Sequence, residues 1–333
     1  MASEIPTSNP RVILGLMTFG PPGAESKGAR ITSLREYEDC LDYLQQCGYF
    51  EIDTARVYID GEQEAFTREA KWKERGLKLA TKCFPTEPGM HKKDRLKAIL
   101  DKSLQELGTD CVDIFYLHAP DRTVPFLETL EACNELFEEG KFRQLGLSNY
   151  SAWEVAEIYN VAEAHAWVKP TTYQAMYNAI TRTIDEELIP CCRKYGIDIV
   201  VYNPLAGGIL SGKYKSNEVP NEGRYSDAVA GEGKMYRERY FRNASFDALR
   251  LIEPVVLKHN LSLIEVALRW CVHHSKLKVA DGNDGVIIGV SSVGQLKDNL
   301  QHLKKGPLPD EIVQVLDDAW FTITKATAPL YWR

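Results

Sequence analysis

Residues 111–118 read CVDIFYLH, a nearly continuous apolar run that stops on a histidine. A strand with one wet face alternates apolar and polar residues, whereas apolar residues at successive positions fit a strand covered on both sides, as in a parallel sheet. The same shape recurs upstream in LKLATK (77–82) and YFEID (49–53), each an apolar run closing on a polar residue. RVILGLMTFG (11–20) supplies a first strand ending near Met17, before the turn-rich PPGAESKGAR. Helical periodicity falls between these runs, over residues 33–47, 62–75, 91–107 and 125–139. Downstream the alternation continues with KFRQLGLS (141–148), a helix over 151–165, TTYQAM (171–176), a helix over 184–194, IDIVVYN (197–203) and GVIIGVS (285–291). Eight strands alternating with helices predict an α/β chain folded as a (β/α)₈ TIM barrel. A doubly wound sheet is the alternative, but no G-x-G-x-x-G opens the first helix, where a dinucleotide-binding sheet would carry its phosphate loop.

Two regions break the cycle. Residues 204–243 form a long Gly-, Ser- and charge-rich connection after strand seven, and a helical pair follows over 244–259 and 262–275. Insertions of this size commonly build the mouth of a barrel. An additional C-terminal helix is expected over 309–325, and the aromatic-rich ATAPLYWR (326–333) is expected to pack rather than hang free. With no repeat beyond the βα unit and no linker, residues 1–333 read as one domain, with 1–10 a flexible lead-in.

The 333 residues, 44% hydrophobic and 26% charged, suffice for a large core. A net charge of -7 and a pI near 5.6 lack the basic face that nucleic acid requires. No apolar stretch approaches the ~18 residues of a membrane span, and MASEIPTSNP carries no leader pattern, so a cytoplasmic protein is the expectation. The eight cysteines lack zinc spacing and read as reduced core residues, and no metal is assigned. His273 and His274 read as structural, and Cys83 as core despite its place beside Lys82.

The strand ends carry chemistry. Asp53, Lys82 and His118 close successive strands, and Tyr58 follows five residues after the first. In a parallel barrel such residues converge on one face. A phenol can protonate a carbonyl oxygen, and a nearby ammonium would lower its pKa toward neutrality, with a carboxylate holding that ammonium in place. His118 could hydrogen-bond the same oxygen from the other side. Taken singly, Asp53 would be a helix cap, Tyr58 a surface aromatic, Lys82 a solvated charge and His118 a core histidine. Their joint occurrence at successive strand ends favours a carbonyl-reducing tetrad.

These residues lie in motifs that resemble the aldo-keto reductases, and within them the aflatoxin-aldehyde and succinic-semialdehyde reductase branch. The matching stretches are DTARVY (53–58), LATK (79–82), FYLHAPD (115–121), GLSNY (146–150), YNPLAGGILSGKY (202–214), GRY (223–225), ALRWCVHHS (267–275) and SSVGQLKDN (291–299). The resemblance implies that Asp53, Tyr58, Lys82 and His118 are the catalytic tetrad and that the cofactor is NADPH/NADP+. It further implies that Ser148, Asn149 and Gln174 bind the nicotinamide carboxamide and that Tyr202 stacks on its ring. Asn203, Pro204, Leu205, Gly207, Gly208, Ser211 and Lys213 would approach the pyrophosphate with Arg224 adding charge, and Ser291, Gln295 and Asn299 would hold the adenosine end. Tyr236 and Arg239 of MYRERY, together with Arg333, match substrate contacts beside Tyr58 and His118, which would favour carboxylated aldehydes or dicarbonyls. The partner expected is a small carbonyl substrate, and a symmetric homodimer is the default expectation for a soluble enzyme. Alternative readings are a pathway-specific ketone reductase of secondary metabolism, or a cofactor-binding regulatory subunit resembling the β-subunits of potassium channels.

Overall fold

In the computed structural model, which describes residues 9–227, 232–280 and 282–333, eight parallel strands close into a barrel in sequence order. The strands are β1 (Arg11–Gly15), β2 (Glu51–Asp53), β3 (Lys78–Cys83), β4 (Val112–Leu117), β5 (Phe142–Ser148), β6 (Pro170–Met176), β7 (Asp198–Tyr202) and β8 (Gly285–Gly289). β1 pairs in register with β8 from Arg11↔Gly285 to Gly15↔Gly289, and this closure excludes the open doubly wound sheet. All but two residues of the expected lead-in at 1–10 lie outside the described residues.

Strand parity sets what faces where. Successive side chains point to opposite faces. Val12, Leu14, Phe115, Leu117, Val286 and Ile288 join the large core beneath the helices, while Ile13, Ile114, Tyr116 and Ile287 pack together inside the barrel. One step higher along the same columns stand Lys82 above Ala80, Gln174 above Thr172 and Tyr202 above Val200. The apolar filling of the barrel therefore ends in a polar layer at the C-terminal ends of the strands.

The surrounding helices are α1 (Leu34–Gln46), α2 (Gln63–Glu69), α3 (Lys93–Leu107), α4 (Phe126–Glu138), α5 (Ala152–Ala164), α6 (Leu188–Tyr195), α7 (Glu232–Tyr240), α8 (Asn243–Lys258), α9 (Leu263–His273), α10 (Val293–Leu303) and α11 (Asp310–Asp318). α2 is shorter than the periodicity suggests. Lys71 takes a left-handed φ of 56°, and Trp72, which reads as one more apolar helix position, instead donates its indole N–H to the Leu107 carbonyl at 3.0 Å. The connection after β7 contains α7, a helix that its highly polar sequence EGKMYRERY conceals. The expected helix over 309–325 is split into α11 and a π-helical turn at Ala319–Thr324.

All eight cysteines are free, and burial pushes the Cys83 thiol up to about 12, so it carries no thiolate at neutral pH. His273 and His274 bond the backbone of Lys305 and Leu308, at 2.7 and 2.8 Å. Among the described residues no helix is long and apolar enough to cross a membrane.

Gly146 on β5 shows how tightly the barrel interior is filled. A Cβ there would lie 2.2 Å from Cδ1 and 2.4 Å from Cε1 of Tyr116. That ring is fully buried, its hydroxyl 3.3 Å from Thr172 Oγ1 and its face 5.8 Å from the Lys82 ammonium. Gly146→Ala should therefore cost about 1–3 kcal/mol through overpacking, read as a lowered midpoint in denaturant melts. Adding Tyr116→Val should recover part of the loss, and an unchanged midpoint in Gly146→Ala would show that the interior yields.

Candidate active site

Asp53 ends β2, Lys82 is the penultimate residue of β3, and His118 follows β4 directly. Lys82 is completely buried, and Asp53 is 3% exposed. The Lys82 ammonium donates to Asp53 Oδ1 and, at 2.6 Å, to the Thr54 carbonyl. The second Asp53 oxygen accepts from Gln174 Nε2 at 2.9 Å. A lone ammonium in such a place would cost several kcal/mol in lost hydration, which the carboxylate and carbonyl offset. Burial still lowers the Lys82 pKa, with Asp53 opposing it.

Tyr58 opens a turn whose next two residues are left-handed, Ile59 at φ 51° and Asp60 at φ 50°, before Gly61 at φ 88°. A β-branched residue in this region is strained, at a cost of order 1–3 kcal/mol, and persists only where its surroundings impose it. Here the Ile59 side chain is buried with Ala24 and Ala29 in the loop after β1. Arg56 donates to the Gly61 carbonyl and to the buried Glu64, which also accepts from Thr81 Oγ1 at 2.6 Å, next to Lys82. The turn is thus tied to β3 on one side and to the first loop on the other. The Lys82 ammonium lies 5.2 Å from the centre of the Tyr58 ring.

The electrostatics differ from the sequence-based expectation. Burial first and the Asp53 carboxylate second push the Tyr58 phenol well above its ordinary value, with Arg224 pulling the other way. Lys82 does not bring the phenol toward neutrality: two of its three ammonium hydrogens go to Asp53 and Thr54, and burial dominates the shift. His118 moves in the opposite direction: burial, then the Lys82 and Arg239 cations, hold its imidazole well below the usual histidine range. Its ring stands edge-on to Tyr58 and Phe84, with centroids 6.2 and 5.4 Å apart. Nδ1 is buried without a hydrogen-bond partner. The tautomer that fits best carries its proton on Nε2.

Two cavities share the C-terminal face. The first, about 530 Å³, is lined by Asp53, Tyr58, His118, Asn149, Gln174, Tyr202, Tyr236, Arg239 and Arg333 among others. The second, about 480 Å³, is lined by Pro204, Leu205, Gly207, Gly208, Ser211, Lys213, Ser291, Gln295 and Asn299. Thr18, Asn203, Arg224 and Gly289 border both, so the two form one trough. Asn149 and Asn203, which follow β5 and β7, hold φ of 64° and 58°. Asparagine is the side-chain-bearing residue most at ease there, and the bend aims it across the barrel mouth. Asn149 Nδ2 donates to the His118 carbonyl at 2.7 Å and to Ser148 Oγ at 3.0 Å, which leaves Ser148 behind Asn149 rather than on the wall of either cavity.

The second cavity has the character of an anion cradle. Gly208, at φ 107°, has nothing within 4 Å of where a Cβ would stand, so its backbone is bare to the cavity. Ser292 caps α10, and Gln295 Oε1 accepts the Ser291 N–H at 2.9 Å. Among the described residues that line it, Arg30, Lys213 and Arg224 stand with one carboxylate, Glu222. A helix N-terminus, exposed peptide groups and an excess of cations fit a phosphate-bearing dinucleotide.

Several wall residues escape sequence reading. Met17 and Thr18 follow β1 and Phe84 follows β3, so the strand-end rule that finds His118 would also have found them. Lys27 and Arg30 lie in a turn with no periodic signal.

Comparison with known proteins agrees with this geometry. The model of the Aldo/keto reductase family matches residues 11–320. An aldo-keto reductase of Pseudocercospora fijiensis is 43% identical over 87% of this chain and 99% of its own length. The aldo-keto reductase pigE of Monascus ruber is 39% identical over 99% of this chain and 100% of its own. Aflatoxin B1 aldehyde reductase member 2 of Rattus norvegicus is 40% identical over 93% of this chain and 86% of its own. A barrel closed in this order, with its polar layer and trough at the C-terminal face, is matched by relatives along nearly the whole chain: the protein belongs to the aldo/keto reductase family.

Proposed function

We propose that this chain reduces aldehydes bearing a distal carboxylate, or dicarbonyls of similar polarity, with NADPH as the hydride source. Family membership supplies the general reaction, carbonyl reduction with a nicotinamide nucleotide. The observation that carries the finer reading is the pair Arg239 and Arg333 on the wall of the cavity that holds Tyr58 and His118. Neither guanidinium has a carboxylate partner among the described residues. A planar fork of donors without an internal anion suits a bidentate carboxylate ligand. Arg224 and Arg239 also lie 4.7 and 5.9 Å from the centre of the Tyr236 ring, which orders the cationic wall.

When bound, the reduced nicotinamide supplies the hydride; Asn149, Gln174 and Tyr202 would hold its ring, and Gly208, Ser211, Lys213, Ser291, Gln295 and Asn299 its phosphates and adenosine. The residues of the chain do the rest. His118 Nε2 donates to the substrate carbonyl oxygen, which orients it and draws off negative charge as that charge develops. Tyr58 then gives that oxygen its phenolic proton. Held above its ordinary value, the phenol stays protonated at neutral pH and so carries the proton that reduction needs. Lys82, kept charged by Asp53, stabilises the phenolate left behind. The cations Arg30, Lys213 and Arg224 suit the phosphates of a dinucleotide, and the choice of NADPH follows the family resemblance.

The deciding experiment is the initial rate of NADPH oxidation with succinic semialdehyde, a neutral aldehyde of similar length and an aromatic aldehyde, for the parent enzyme and Arg333→Ala. The expected result is a preference for the carboxylated aldehyde that disappears in the variant. Turnover indifferent to charge would sink the carboxylate reading, and tight NADPH binding with no turnover of any of the three would point to a specialised ketone or a regulatory role. Tyr58→Phe should lower kcat roughly 10²–10⁴-fold while NADPH affinity, read by fluorescence titration, stays within a few-fold. The pH dependence carries its own sign. A phenol raised above 10 and an imidazole lowered below 6.5 keep their protonation across the neutral range, so kcat/KM for reduction should be flat from about pH 6 to 8. An inflection near 6.5 would show that His118 titrates in the working enzyme.

A further inference from the structure

Arg333 reaches the cavity from a segment, residues 330–333, that belongs to no helix or strand. Leu330 and Trp332 in it are 63% and 38% exposed. Such a segment would ordinarily hold a side chain only loosely. Here it is fastened at three points.

Tyr331 is buried, its hydroxyl accepting the Ala152 N–H at the start of α5 at 3.0 Å and donating to Glu187 Oε2 at 2.7 Å. The Arg333 N–H donates to the Asn149 carbonyl at 3.0 Å. The third fastening is Arg122, in the loop after β4. Its guanidinium donates to the main-chain oxygen of Arg333 at 2.5 Å and lies 5.9 Å from the Trp332 ring centre. Arg122 is itself gripped by both oxygens of Glu154, at 2.7 and 3.1 Å.

Glu154 is the anchor of the arrangement. It is completely buried, and its Oε2 also accepts from the backbone N–H and hydroxyl of Ser151, at 2.7 and 2.9 Å. It therefore closes the capping box of α5 and neutralises Arg122 in the same place. The outcome is a fixed course for the chain into Arg333, whose guanidinium lies 5.7 Å from the Phe84 ring centre, with one nitrogen 3.7 Å from Met235 Sδ. Phe84 and Met235 both line the substrate cavity. Arg122 lines neither cavity.

Resting on the carboxylate reading above, we propose that Arg122 is a positioning residue for substrate selectivity: it holds residues 330–333 against α5 and so keeps the Arg333 guanidinium ready at the cavity before a carboxylate arrives. A cation fixed in advance spares binding the ordering of its segment. Where only a fraction of molecules holds the competent arrangement, apparent affinity falls by that fraction. The nicotinamide side is buffered from this effect, because Asn149 keeps its own bonds to the His118 carbonyl and Ser148 when the segment loosens.

The test compares Arg122→Leu, Arg122→Lys and Tyr331→Phe with the parent, using succinic semialdehyde and a neutral aldehyde of equal length. Arg122→Leu should raise KM for the carboxylated aldehyde on the order of tenfold with kcat within about twofold, and leave both parameters for the neutral aldehyde within about twofold. Arg122→Lys, which keeps a charged donor, should recover part of the loss. Tyr331→Phe should reproduce it more weakly from the other fastening. In the Arg333→Ala background, Arg122→Leu should add nothing, since its effect passes through Arg333. Hydrogen exchange gives a readout independent of substrate: the Arg333 amide should exchange faster in Arg122→Leu. Equal losses for both aldehydes, multiplying effects of the two arginine substitutions, or unchanged exchange at Arg333 would each overturn the proposal. Should Arg333→Ala itself show no loss that depends on substrate charge, the carboxylate reading and the selectivity claim fall together. In that event, faster exchange in Arg122→Leu would support the anchoring alone, and unchanged exchange would overturn that as well.

Discussion

The buried ion pair of Lys82 and Asp53 is the constraint around which this barrel is arranged. Without a partner, an ammonium with no access to water would lose its proton or pull the interior open. The pair is tolerable only because Thr54 offers a carbonyl and Gln174 satisfies the second carboxylate oxygen. Those two groups come from positions adjoining β2 and from β6, so the pair requires the barrel to be closed before it is stable. Tyr116 beneath it and Gly146 opposite show the same dependence from the packing side, since the ring that supports the ammonium fits only where β5 carries no side chain. One electrostatic requirement therefore fixes residues on several strands.

The pair also sets the proton chemistry of its neighbours, in a way that proximity alone would misjudge. A cation near a phenol is expected to acidify it, but here burial and the Asp53 carboxylate push the other way and prevail. The same cation, together with Arg239, helps to keep His118 neutral. Tyr58 and His118 are thereby both held in donor form, one as a phenol and one as an N–H. The strained turn after Tyr58 serves this arrangement. Left-handed backbone at Ile59 and Asp60 is maintained by the packing of Ile59 against Ala24 and Ala29 and by the grip of Arg56 on Gly61. The acid is carried on a short turn pinned at both ends rather than on a mobile loop.

Much of this was legible in the sequence because strand parity and strand ends are local signals. CVDIFYLH announces both a doubly covered strand and the imidazole beyond it, and the same reading finds Asp53 and Lys82. The long connection shows the limit. α7 is dominated by charged residues, with too few apolar ones to mark a periodicity, and its placement over the cavity depends on contacts made by Tyr236 and Tyr240 within the folded barrel. Trp72 misled for the opposite reason: it continues an apolar spacing but is used to dock on the end of α3. Ser148 was placed correctly at a strand end, yet its Oγ accepts from Asn149 and stands behind it, a pairing that depends on the left-handed bend at the asparagine. The shifted pKa values were not legible at all, since they arise from burial and from charges brought together by different strands.

The site therefore has two parts held by different physics. Asp53, Lys82 and His118 stand at strand ends and are fixed by the closure of the barrel, while Tyr58 stands on a turn tied to β3 and to the loop after β1. The cationic wall stands on α7 and on residues 330–333, which are held by caps, ring contacts and single hydrogen bonds at the rim. Interactions of the second kind are individually small and can be replaced one at a time without unfolding the core. A barrel built this way keeps its reaction while its wall changes, because the residues that choose a substrate are fastened to the scaffold and are not part of what holds it closed. Arg122 lies at that boundary: it springs from the loop after β4, four residues beyond His118, and its partner Glu154 caps a helix of the scaffold. The stability of α5 and the placing of Arg333 thus share a single buried carboxylate, and this is the point at which the variable wall is joined to the fixed frame.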